Sequence, residues 1–285
     1  MKNTATARVP ATSANLGPGY DSMGLALQIY NNVTVTRNEE GRGAVPADDM
    51  VTEASDLFFR RAKQKKFSFS WDISGNVPRS RGLGSSVTVR LGVIHALNAL
   101  CGEPLTRDRL FDVCTELEGH PDNAAPASFG GFTVAATGMP LQRYAVSEAL
   151  KFVVLIPEFE IETSEARRVL PSMIHHREAT VNTAHAAAIA AAFASGDYAK
   201  LENGFQDYLH QPYRQHLVPF LDKVIVAGKS AGALGGWLSG SGSAVACATL
   251  ATPKKVAAAM QAVLGGKIPA KTVVVCADNE GVKVK

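Results

Sequence analysis

Between a strand-like run, Phe67 to Ile73, and a long helical pattern lies the stretch Pro78-Arg79-Ser80-Arg81-Gly82-Leu83-Gly84-Ser85-Ser86. Val89, Leu91, Val93, Ile94, Leu97 and Leu100 recur behind it at helical spacing, so the loop opens a helix. A strand, a glycine turn and a helix in succession call for a mixed α and β architecture and mark a place for an anion. Gly82 and Gly84 lack a Cβ, which permits positive φ and close approach to a ligand; the helix start adds unpaired N–H groups and the positive end of its dipole. With the Ser85 and Ser86 hydroxyls, this row of amides predicts a polyphosphate cradle and phosphoryl chemistry. It is not the P-loop, which ends in Gly-Lys-[Ser/Thr], nor the dinucleotide fingerprint. Taken alone, the same residues also describe a flexible turn with Ser85 or Ser86 as helix cap.

Two further small-residue loops flank this one in the chain. The first is Ala11-Thr12-Ser13-Ala14-Asn15-Leu16-Gly17-Pro18-Gly19-Tyr20-Asp21, read as a turn-rich loop after a strand at Thr6 to Val9. The other is Leu238-Ser239-Gly240-Ser241-Gly242-Ser243. A polar knot, Glu116-Leu117-Glu118-Gly119-His120-Pro121-Asp122-Asn123-Ala124-Ala125-Pro126, follows a helix that starts at Thr106 and ends at Gly119. Its Gly and Pro residues predict a non-helical stretch, and its carboxylates, imidazole and amide suit a site rather than a core.

Elsewhere the patterns predict an alternating strand at Asn31 to Arg37, an exposed connection at 39–47, a helix at Val51 to Phe59, and a strand at Phe132 to Ala136. The signal weakens over Gly138 to Leu150, and a new strand begins at Phe152. Two domains are expected, 1–148 and 149–285. The second alternates strands with helices, which suits an α+β sandwich with helices on one face of a mostly antiparallel sheet. The Ala-rich run Ala184 to Ala194 predicts a close-packed helix.

The 285 residues are 46% apolar and 19% charged, a globular composition. Net charge is only +3, and the one basic cluster, Arg60 to Lys66, reads as a solvated helix end without aromatic interleaving, so no nucleic-acid partner is expected. No apolar run approaches the ~20 residues of a membrane helix, and no leader-like apolar stretch opens the chain, so a cytoplasmic protein without a membrane partner is expected. Cys101, Cys114, Cys247 and Cys276 are widely spaced among apolar neighbours, as reduced core residues are.

Taken in order, the three loops resemble those of the GHMP kinase superfamily, and Pro-x-x-x-Gly-Leu-Gly-Ser-Ser is the superfamily's own form. Within it, the match is best to members that phosphorylate the side-chain hydroxyl of L-homoserine on the way to threonine. The residues carrying that finer likeness are Val9 to Asp21, Glu118 to Asn123, Thr163-Ser164-Glu165-Ala166-Arg167 with Leu170-Pro171, and Asp207-Tyr208-Leu209-His210-Gln211-Pro212-Tyr213-Arg214. The resemblance implies a two-domain α/β sandwich, its C-terminal domain ferredoxin-like, with ATP and substrate in the interdomain cleft. ATP would lie on Pro78, Arg79, Ser80, Arg81, Gly82, Leu83, Gly84, Ser85 and Ser86.

For the metal, the resemblance implies Mg2+ held by Ser85 and the glutamate before the knot, taken as Glu118 with Glu116 as rival. An amino-acid substrate needs an acceptor for its ammonium, for which Asp21 and Asp122 serve, and donors for its carboxylate, for which Arg167 and Arg214 serve. Asn15, His120 and Asn123 would complete that pocket. An amide is no base at neutral pH, so Asn123 implies a hydroxyl oriented beside it that loses its proton late, with Asp122 as the alternative acceptor. His175, His176, His185 and His216 are read as structural. Proteins of this kind often form homodimers, a candidate assembly here. The chain departs from the family pattern at Val87-Thr88-Val89, where small alanines are usual, at Pro46 to Val51 near the adenine, and in the third loop, which lacks the usual Gly-Pro.

Overall fold

A computed structural model describes residues 3–38 and 48–285. The exposed connection expected at 39–47 lies outside them. Strands β1 (Thr4–Ala14) and β2 (Met23–Arg37) form a long antiparallel hairpin. Ala5, Ala7, Val9, Val33 and Val35 are buried on one face, while the Thr6 and Thr34 hydroxyls on the other hydrogen-bond at 2.8 Å. The register shifts between Pro10 and Ala11, where proline offers no N–H to the ladder. Pairing resumes from Ala11 to Ala14 against Leu27 to Gly24. The loop expected from Ala11 therefore begins only at Asn15.

Helix α1 (Asp49–Ala62) starts at Asp48, whose carboxylate accepts from the Val51 N–H at 3.1 Å. Strand β3 (Phe69–Gly75) pairs with β2. Helices α2 (Ser85–Leu100) and α3 (Arg107–Glu118) follow, α3 capped by Thr106 and ended by Gly119 at φ +82°, as the sequence predicts. The polar knot differs from expectation: Pro121–Phe129 is a helix, α4. Pro121 occupies its first turn, where a missing N–H leaves nothing unpaired. Pro126 leaves the Asp122 carbonyl free to lie against β2, where a Cβ on Gly24 would stand 1.8 Å from that oxygen. Strands β4 (Phe132–Val134) and β5 (Gln142–Tyr144) complete this half.

The chain then enters a second sheet built of β6 (Lys151–Pro157), β7 (Gly235–Leu238), β8 (Val245–Thr249) and β9 (Ala270–Val275), ordered β7-β8-β6-β9 and wholly antiparallel. Between β6 and β7 run α5 (Thr163–Arg168), α6 (His176–Ser195), α7 (Gln211–Arg214) and α8 (Leu221–Ser230); α9 (Pro253–Leu264) links β8 to β9. The tail departs from the two-segment division: β10 (Lys283–Val284) returns to pair with β1, giving the first sheet the order β10-β1-β2-β4-β5 with β3 also on β2.

Alternation along β6 sorts the core. Phe152 and Val154 face a cluster shared with Leu25, Leu27, Phe132 and Trp237, whereas Val153 and Leu155 face Val224, Val256 and Met260 of α8 and α9. The first cluster joins the two sheets, and each large side chain fully buried there contributes about 1.5–3 kcal/mol. Helices thus lie on both faces, because α6 also packs into this cluster, with Phe193 stacked on Phe132 at 4.1 Å. Ile189, Ala192 and Phe193 do that packing, leaving Ala184, Ala187, Ala188 and Ala191 exposed, so the Ala-rich run is close-packed on one side only. All four cysteines are free; Cys114 and Cys247 are buried, but Cys101 and Cys276 are half-exposed. Among the described residues no helix is long and apolar enough to cross a membrane.

Candidate active site

A cleft of about 600 Å³ runs between the two halves, lined by residues from both. At its centre the loop 78–86 meets the N-terminus of α2. Gly82 and Gly84 have φ of +71° and +67°, as expected. Their missing side chains make room for protein rather than ligand. A Cβ on Gly82 would stand 1.9 Å from the Ser239 carbonyl oxygen, and one on Gly84 2.0 Å from Thr12 Oγ1. The amides of this stretch are therefore shaped by interlocking with the other two loops.

That interlocking is directional. Trp237 Nε1 donates to Ser13 Oγ at 2.9 Å, Ser13 meets Ser239 Oγ at 2.8 Å, and Ser239 Oγ donates to the Gly82 carbonyl at 2.6 Å. An indole only donates and a carbonyl only accepts, so the Ser13 hydroxyl must donate to Ser239. Buried chains of this kind polarise one another and fix geometry. Sequence reading missed Ser13 and Trp237; a tryptophan placed just before the third loop is the signal that was there.

Not every residue assigned to ATP faces the cleft. Arg79, Ser80, Gly82, Gly84, Ser85 and Ser86 line it. Leu83 is buried in the core, and Pro78 is not among the lining residues. The Arg81 side chain turns to the other half, where Nε donates to the Pro157 carbonyl at 2.7 Å, Nη2 to that of Glu158 at 2.5 Å, and Nη1 lies 3.2 Å from Glu160. One wall beyond the loop is apolar, with Met50, Trp71, Ile73, Val77 and Val89 beside Asp48. Of the segment expected near the adenine, Pro46 and Ala47 lie outside the described residues.

The rival glutamates separate cleanly. Glu116 is 47% exposed on the surface and pairs with Arg61 at 2.5 Å. Glu118 is 8% exposed and lines the cleft. Its Oε2 accepts from Ser86 Oγ at 3.0 Å, and its Oε1 from Arg90 Nη1 at 2.7 Å. The hydroxyl beside this carboxylate is Ser86's, not Ser85's; Ser85 Oγ instead accepts from the Ser80 N–H at 3.4 Å. A sheltered carboxylate with neighbouring hydroxyls is an all-oxygen donor set, which fits a hard divalent cation such as Mg2+.

Also lining the cleft, Asp21, His120 and Asp122 bring one ligand atom each within 4.8 Å of one another. Asp122 is buried, and its Oδ1 contacts His120 Nδ1 and accepts from the Asn123 N–H at 2.9 Å. The hydrogen bond to Asp122 raises the His120 pKa, against a smaller opposing effect of burial. Asn123 Oδ1 accepts from Thr12 Oγ1 at 2.6 Å. Arg167 grips Asp21 with two bonds, Nη1 to Oδ2 at 3.0 Å and Nη2 to Oδ1 at 2.9 Å, and also donates to the Tyr20 hydroxyl at 3.0 Å.

Asn15 and Arg214 also border the cleft, but much of their hydrogen-bonding capacity is already engaged. Asn15 donates to the Gly240 carbonyl at 3.0 Å and accepts from the Asp21 N–H at 3.0 Å, which holds the Asp21 backbone at φ +53°. Arg214 Nε donates to the Ala166 carbonyl at 2.9 Å, and its Nη1 to Gly240 O and to His210 Nδ1, both at 3.1 Å. His210 in turn donates from Nε2 to the Gly17 carbonyl at 2.9 Å. An imidazole accepting at one nitrogen and donating at the other is neutral, and its complete burial lowers its pKa to about 4. The Asp207 to Arg214 stretch thus braces the first and third loops against α5.

The family model for GHMP kinases N terminal domain matches residues 49–131, and that for GHMP kinases C terminal matches residues 189–266. A homoserine kinase of Microchaete diplosiphon is 40% identical over 91% of this chain and 90% of its own length. One from Caldicellulosiruptor bescii is 38% identical over 84% and 82%. Among solved structures, homoserine kinase from Cytophaga hutchinsonii superposes with a TM-score of 0.91 at 24% identity, covering 100% of this chain and 98% of that one. The Methanococcus jannaschii mevalonate kinase gives 0.71 at 16%, over 95% and 97%. These two likenesses establish the fold.

Proposed function

The chain belongs to the homoserine kinase family within the GHMP kinases, and from that membership and the cleft we propose that it phosphorylates the side-chain hydroxyl of L-homoserine with ATP. The product would be O-phospho-L-homoserine for threonine biosynthesis, made in the cytoplasm. The carrying observation is the Asp21–Arg167 pair at the cleft wall, two hydrogen-bonded opposite charges within one cleft of the amide-lined start of α2. An amino acid presents the complementary pair, ammonium to carboxylate and carboxylate to guanidinium. A substrate without an ammonium group would forgo its contact with the Asp21 and Asp122 carboxylates.

The reaction forms a bond between the substrate hydroxyl oxygen and the γ-phosphorus and breaks the one to the β-phosphate bridge, releasing ADP. Such transfers depend on positioning and charge neutralisation. Mg2+, when bound, neutralises phosphate oxygens; Glu118 and the Ser86 hydroxyl would hold it, with Ser85 beside Ser86 in the first turn of α2. The loop amides and the dipole of α2 receive the phosphates. Asn123 is fixed by Thr12 and orients the hydroxyl, whose proton passes late to phosphate. Asp122, already bonded to His120 and to the Asn123 N–H, serves the ammonium rather than the proton transfer.

Phosphorus NMR of the protein incubated with ATP, Mg2+ and L-homoserine is the test. The expected result is O-phospho-L-homoserine, with L-serine, one methylene shorter, turned over about tenfold more slowly or worse, and mevalonate and galactose, which lack the ammonium, slower still. Nucleotide binding without turnover of any of the four overturns the proposal.

A further inference from the structure

Arg90 has no part in the roles so far described, yet its head group is held in the cleft from two sides. It stands one helical turn beyond Ser86 on α2, so both side chains leave the same face. Nη1 donates to Glu118 Oε1 at 2.7 Å, Nη2 reaches Glu53 Oε2 on α1 at 3.5 Å, and Nε is buried without a hydrogen-bond partner. Arg90 is 16% exposed and Glu118 8%, whereas Glu53 is 63% exposed. The inner pair is therefore sheltered and the outer one screened by water. Ser86 occupies the other Glu118 oxygen.

The two contacts on Glu118 respond differently to an arriving cation. A hydroxyl is neutral, rotates, and can turn its own lone pair to the ion. A guanidinium is a fixed positive charge with no acceptor, so it stays on Oε1. We propose that Arg90 is a positioning residue that makes Glu118 a one-oxygen ligand and so sets the site's preference for a small octahedral cation over a larger one. This rests on the reading of Glu118 as a cation ligand given above. Mg2+ is content with single carboxylate oxygens and water at about 2.0–2.1 Å, whereas Ca2+ takes more ligands at about 2.3–2.6 Å and often a two-oxygen carboxylate. With Oε1 held by Arg90, that second mode is closed.

Calorimetric titration with ADP in saturating Mg2+ or saturating Ca2+, without acceptor substrate, reads the preference with no turnover. In Arg90→Gln the ratio of Ca2+–ADP to Mg2+–ADP affinity should rise about tenfold, the low end of what outer partners of a metal ligand contribute. Arg90→Lys, which keeps a cationic contact on Oε1, should return the ratio towards the original value, and Glu53→Gln should leave it unchanged. If Arg90→Gln does not fold, Arg90→Met, which keeps the apolar stem, gives the same reading. An unchanged ratio in the variant lacking the guanidinium, alongside lost cation dependence in Glu118→Gln, overturns the role of Arg90. Full Mg2+ dependence in Glu118→Gln overturns the ligand reading itself, and the proposal with it.

Discussion

Asp122 and His120 form a pair whose chemistry can be separated by kinetics. Loss of a general base costs 10²–10⁴-fold, so Asp122→Asn should lower kcat by less than ~10²-fold while raising KM for the amino acid; steady-state kinetics decides, and a larger fall in kcat makes Asp122 the base. His120 has its pKa raised by Asp122, so the folded state binds its proton more tightly than the unfolded chain does. That contribution is complete below the ordinary histidine value of about 6.5 and disappears as pH rises through the elevated one. His210 works the other way: neutral when folded, it costs stability as pH falls from about 6.5 towards about 4. Melting curves at several pH values should therefore show the gap between the parent protein and His120→Gln narrowing as pH rises above about 6.5.

Among the elements, the three loops carry the most testable structure. Gly84→Ala meets both a positive φ and the Thr12 hydroxyl, so it should cost about 1–3 kcal/mol and weaken ATP binding, measured by denaturation and by calorimetry with ADP. Trp237→Phe removes the donor that starts the Trp237-Ser13-Ser239 chain and leaves a buried hydroxyl short of a partner, a cost of about 1–3 kcal/mol. Much of this was legible beforehand. Gly82, Gly84, Gly119 and Thr106 announced where α2 begins and where α3 starts and stops, because each carries a local backbone or capping signal. The α4 helix was hidden, since Pro121 reads as a breaker unless it is known to fall in a first turn. So was the choice between Glu116 and Glu118: sequence spacing puts them on different sides of α3 but cannot tell which side faces the cleft. The pairing of Glu118 with Ser86, and the turning of the Arg81 side chain away from the cleft, depend on contacts between residues 32 and 76 or more positions apart.

For the molecule as a whole, Arg81 is one of the straps between the halves. Its bonds to the Pro157 and Glu158 carbonyls tie the loop before α2 to the end of β6. Arg81→Ala should lower stability by about 1.5–3 kcal/mol, as loss of hydrogen bonds to a charged group does, and raise KM for both substrates together; thermal melting and two-substrate kinetics check it. The tail adds a covalent tie. Backbone crosses from one sheet to the other between β5 and β6, and crosses back between β9 and β10, where the Gln28 N–H donates to the Cys276 carbonyl at 3.0 Å. A body pinned at two separated points cannot swivel or slide freely against its neighbour. With the shared core between the sheets, that double crossing sets the width of the cleft mouth in the covalent path of the chain itself.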